Sequence, residues 1–143
     1  ATLTAPQWWM GENRGWVRSP AGIRMPQRII ADGQTEFTAE YRQGLKRYLQ
    51  VQTLSLMNPC LAVSTAAALT GPWSRQTCFF VPPERGAPDL LVYAGKSHPM
   101  LRGAEMVFTY VANTTSEERL LNDMTIYFPV VLQGRIGTEG PDS

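Results

Sequence analysis

Apolar and polar positions alternate with a period of two over much of the chain, the spacing of strands with one packed face. Residues 35–57 carry it most clearly. With Gly44-Leu45-Lys46 as a three-residue hairpin loop, Tyr41 faces Leu49, Ala39 faces Val51 and Phe37 faces Thr53. Cross-strand partners share a face, so one face collects Phe37, Ala39, Tyr41, Leu49 and Val51. The other collects Glu36, Thr38, Glu40, Arg42, Tyr48, Gln50 and Gln52. A two-residue loop would mix the two sets, so the three-residue register is expected. The polar face is rich in Arg, Tyr and Gln, which hydrogen-bond and stack.

Other segments read more briefly. Gly11-Glu12-Asn13-Arg14-Gly15 between Gln7–Met10 and Trp16–Arg18 predicts a hairpin. A loose stretch through Pro20 and Pro26 leads to Arg28–Ala31 and an Asp32-Gly33 turn. Leu61 to Leu69 is Ala-rich and reads as a short helix or a loop. Cys78–Val81 and Leu90–Tyr93 read as short strands, and Glu105–Ala112, apolar on both faces, as a central strand. Thr115 with Glu118 three residues on matches a capping box. Leu120, Leu121, Met124, Phe128 and Val131 then recur near helical spacing, with Pro129 ending that helix or starting a second. The β-formers of Met124–Phe128 equally suit a strand.

At 143 residues with 43% hydrophobic positions the chain fits one domain with a real core. It opens at Ala1, as if an initiator Met had been trimmed, and shows no leader. No apolar run approaches the roughly 20 residues of a membrane span. A net charge of +1 excludes a strongly basic nucleic-acid wrapper. The charge is uneven, however: seven basic against four acidic side chains in residues 1–50, two basic against five acidic in 117–143. A polyanion would prefer the first half.

Little chemistry is visible. His98, the one histidine, lies in a turn-like stretch with no acid or nucleophile at a recognisable spacing. No phosphate loop precedes a helix. Cys60 and Cys78 are too few for a zinc site and read as buried free thiols. Asn113-Thr114-Thr115 matches a glycosylation acceptor but reads as helix capping. No catalytic residue, metal or cofactor is expected.

Four strings, in this order, resemble the coat proteins of single-stranded RNA bacteriophages, the leviviruses of the Qbeta-like branch. Tyr41-Arg42-Gln43 followed by Lys46-Arg47-Tyr48 resembles the family's central hairpin. Met57-Asn58-Pro59-Cys60 resembles the end of its next strand, where a long loop begins that closes at a second Cys. Val111–Thr115 resembles the strand-to-helix junction, and Ser116–Arg119 with Pro129–Leu132 the paired C-terminal helices.

The resemblance implies an α+β fold. An N-terminal β-hairpin (1–31) is followed by a five-stranded antiparallel sheet (35–112, with a long loop at about 59–99). Two C-terminal helices (115–136) pack across an intertwined dimer. It implies a non-enzymatic capsid protein, an obligate homodimer that builds an icosahedral shell around genomic single-stranded RNA. The virion would assemble in a bacterial cytoplasm. An RNA hairpin would be bound for translational repression, without membrane or cofactor. The RNA contacts would fall to Thr38, Arg42, Lys46, Arg47, Tyr48, Gln50 and Gln52. Cys60 and Cys78 would be candidates for inter-subunit disulfides, the alternative being free thiols. The rival expectations are a small monomeric β-rich oligonucleotide-binding module and another virion component.

Overall fold

The computed structural model describes residues 5–18, 25–101 and 105–135. The loose stretch around Pro20 and the Gly137 and Gly140-Pro141 tail lie outside them. The first element is the expected hairpin, β1 (Trp8–Trp9) and β2 (Trp16–Val17). It turns through Gly11 at φ 90°, where a Cβ would stand 2.0 Å from the Gln27 side chain. Trp9 and Trp16 pack with ring centroids 5.5 Å apart.

A four-stranded antiparallel meander follows: β3 (Phe37–Arg42), β4 (Arg47–Leu54), β5 (Cys60–Ala66) and β6 (Thr77–Phe80). The Ala-rich stretch after Leu61 is therefore largely a strand, not a helix or loop. Its small side chains suit a position between two neighbours, where Ala62 and Ala66 are fully buried. A second meander comprises β7 (Leu90–Ser97), β8 (Met106–Thr114) and β9 (Pro129–Gly134). One short helix, α1 (Glu117–Asn122), joins β8 to β9.

The α+β expectation is thus corrected. The described chain is mostly β, with sheets of two, four and three strands and a single short helix. Five strands do not form one sheet, and the 59–99 region holds strands rather than one loop. The second C-terminal helix is replaced by β9. Pro129 opens a strand at a sheet edge, the place where a missing N–H is tolerated. The helix cap is Ser116, whose side chain accepts from the Arg119 N–H, not Thr115.

The β3–β4 register is corrected as well. The loop has four residues, 43–46, with Lys46 at φ 50°, so Arg42 pairs with Arg47 and Tyr41 with Tyr48. β3 is flipped relative to the expected faces. Thr38 and Glu40 turn inward because β7 crosses there and needs polar partners. Ser97 N–H donates to Thr38 Oγ1 at 2.9 Å, and Ser97 Oγ–H donates to Glu40 at 2.8 Å.

The two sheets pack face to face and supply each other's cover. Leu49, Val51 and Leu61 of the first meet Val92, Phe108 and Tyr110 of the second. No borrowed helix is needed to shield the apolar face. The sheets are tightest where β7 lies on β4: the Gly95 N–H donates to Thr53 Oγ1 at 2.8 Å, a contact no side chain would permit. At the far side Phe79 and Phe108 bridge them at 4.9 Å. Burial, then the hydrogen bond to Glu84, pushes the Tyr110 phenol well above its ordinary range.

Candidate nucleic-acid interface

The β3–β4 hairpin end gathers most of the predicted RNA-contacting residues. Arg42 and Arg47 are direct cross-strand partners and therefore share a face. Two like charges placed opposite one another repel, and Arg42 is eased by Glu40, 3.5 Å away. Lys46 stands exposed in the loop beside them. The same hairpin end carries Tyr41 and Tyr48 on its other face, in an edge-to-face pair with centroids 5.2 Å apart. Tyr41 is 45% exposed, so one ring is open to solvent. A guanidinium pair on one side and aromatic rings on the other can bind phosphate and stack an unpaired base.

Three predicted contact residues lie elsewhere. Gln50 and Gln52 are wholly buried and are corrected from ligand contacts to structural groups. Gln52 accepts from the Gln34 N–H at 2.9 Å and donates to the Asp32 carbonyl at 2.8 Å, pinning the 32–34 segment over the sheet. Gln50 accepts from the Ser64 hydroxyl at 2.9 Å. Thr38 is engaged with Ser97 between the sheets. Tyr41 joins the site in their place. The three-residue register puts Tyr41 on the packed face; the matched pairs Arg42/Arg47 and Tyr41/Tyr48 of a four-residue loop are the signal in the sequence that points to it.

Beside the Arg42 side chain lies a small pocket of about 150 Å³, lined by Glu40, Ser97, His98 and Glu105 among others. The His98 imidazole hydrogen-bonds Thr109 Oγ1 at 2.7 Å, and Ser97 donates to Glu40. No relay joining serine, histidine and carboxylate connects these groups. Among the described residues no cluster of three or more His, Cys, Asp or Glu has a metal-binding arrangement.

Cys60 and Cys78 are disulfide-bonded to each other, tying β5 to the edge strand β6 with Cα atoms 5.8 Å apart. This corrects both the inter-subunit and the free-thiol expectations. The two residues sit on adjacent antiparallel strands; Cys78 pairs with Ala62, two residues along β5 from Cys60, and the bulge between Leu61 and Ala62 falls between them, within the reach of a single bridge.

No family model matches the chain, and no curated protein matches it.

Proposed function

We propose that the protein is a self-associating structural protein that contacts single-stranded RNA through the β3–β4 hairpin end, as a coat protein would. The observation that carries this is the Arg42/Arg47 pair with Lys46 on a hairpin whose opposite face offers Tyr41 and Tyr48. The order of the levivirus-like strings supports the virion setting; the fold does not, because among the described residues the sheets hold two, four and three strands with one short helix. The two sheets cover each other within one chain, so this reading has copies associate through their outer surfaces.

Fluorescence anisotropy with a labelled RNA hairpin, and with a duplex of the same length, tests the RNA contact. Arg42→Ala, Arg47→Ala and Tyr48→Ala are each expected to weaken hairpin binding by about 1–3 kcal/mol, with duplex binding already weak. Wild-type affinity in all three variants would overturn the site. Negative-stain microscopy of the purified protein tests the shell. The closed single-chain core favours a second reading, a monomeric oligonucleotide-binding module. RNA binding by a protein that stays monomeric in size-exclusion chromatography would select it.

A further inference from the structure

The second sheet carries a projection at one end and a recess at the other, and we propose that the two fit each other between copies of this chain, head to tail. The projection is α1 with the turn that follows. It is firmly held. The Thr115 N–H donates to the Asp89 carbonyl at 3.1 Å, and Arg119 Nη1 donates to both Asp89 carboxylate oxygens at 3.1 and 2.9 Å. The Tyr127 N–H reaches the Ala112 carbonyl at 2.8 Å, and Ile126 is buried. Yet this fixed frame turns apolar side chains outward: Leu121 is 79% exposed, Met124 74% and Phe128 61%. Such a cluster on a rigid support marks an interaction surface, with little ordering entropy left to lose. Glu117, Glu118 and Asp123 accompany it.

The recess is a cleft of about 870 Å³ between the edge strands β6 and β9. Phe79, Phe80, Phe108 and Leu132 line it, and Arg135 lines it too with a mostly exposed side chain. Its β9 wall, Leu132 to Arg135, lies beside the start of β8, whereas α1 follows the end of β8. Phe128 of the projection adjoins Pro129, which pairs with Val111, while Leu132 of the cleft pairs with Phe108, so the extended β9 strand holds the two about 13 Å apart and a copy cannot fold its own projection into its own cleft. Polarity matches, since apolar side chains enter an aromatic slot, and the cleft's one charged lining residue, Arg135, 3.8 Å from Glu105 with its side chain 71% exposed, is within the kind of reach that Glu117 or Glu118 of another copy would use. A two-fold contact between projections would set acid against acid. The pairing is therefore heterologous, and such contacts close into rings or propagate. This inference rests on the self-association part of the proposed function and requires no RNA.

Sedimentation velocity on nucleic-acid-free protein tests it. Wild type should associate as concentration rises. Leu121→Glu and Arg135→Glu, both at exposed positions, should keep the wild-type circular dichroism while associating about tenfold more weakly or worse. Mixed in equal amounts they should form a dimer and stop, because one variant retains a cleft and the other a projection. A mixture that stays monomeric while wild type associates would overturn the head-to-tail contact and leave self-association standing. Wild-type association by both single variants would overturn it too, giving the cleft to another occupant. A wild type that is monomeric at every concentration would overturn both readings.

Discussion

Replacing Gly95 with Ala places a methyl group 2.6 Å from Thr53 Oγ1, 2.7 Å from the Thr53 nitrogen and 2.9 Å from the Gln52 carbonyl carbon. Two of those three atoms belong to the β4 backbone, so no rotamer change relieves the clash; β7 must lift from β4. Overpacking of this kind costs about 1–3 kcal/mol. Lifting the strand also weakens the Gly95–Thr53 hydrogen bond, worth about 1 kcal/mol. The stiffer unfolded chain offsets about 0.4–1 kcal/mol of that. The expected net loss is about 2–3 kcal/mol, a large share of the roughly 5–15 kcal/mol that holds a domain together. The assay is urea unfolding followed by far-ultraviolet circular dichroism, disulfide intact, with a fall in midpoint at unchanged slope. Gly44→Ala is the control: its Cβ would meet nothing within 4 Å, and the expected change is within about 0.5 kcal/mol. Equal midpoints for the two variants would refute the claim that the sheets are locked together at Gly95.

Three further outcomes are expected. Reducing the Cys60–Cys78 bridge, which spans 18 positions, should lower stability by about 3 kcal/mol, and non-reducing gels should show a monomer band and not a ladder; an unchanged urea midpoint in reductant would refute the first. The Arg119 hydrogen bond holds Asp89 below its ordinary pKa of 3.8, so its stabilisation is whole above that value and is lost as pH falls through the lowered one; Asp89→Asn should flatten the acid limb of a stability–pH curve, and an unaltered limb would count against the pair. RNA affinity should fall with salt at a logarithmic slope near −2, about 0.7 for each of Arg42, Lys46 and Arg47, and Arg47→Ala should shrink that slope.

Much of this architecture was legible from residue patterns. The Trp-flanked Gly11–Gly15 hairpin, strand character on both sides of residue 44, and the doubly apolar strand around Phe108 all follow from local chemistry. The cap region was placed to within a residue. The errors share a cause: tertiary partners outranked local pattern. Thr38 and Glu40 look like solvent-facing positions until β7 crosses them and satisfies their polar atoms. Gln50 and Gln52 look like ligand groups until Ser64 donates to the Gln50 amide oxygen and the 32–34 backbone engages both ends of the Gln52 amide, both side chains being buried. Leu120, Leu121 and Met124 recur as a helix's buried stripe would, yet here they point outward, and the residues beyond them return as β9 because β8 has a free edge to pair. Within the candidate site Arg42, Lys46, Arg47 and Tyr48 were identified from sequence; Tyr41 was hidden by a one-residue error in register.

Two sheets joined along β4 and β7 and parted between β6 and β9 resemble a book held at its spine. Opening or closing such leaves by a few degrees moves aromatic rings at the fore-edge but leaves the bound margin, with its glycine-to-backbone contact, untouched. Hydrogen exchange should accordingly be slow at the spine and faster toward the fore-edge.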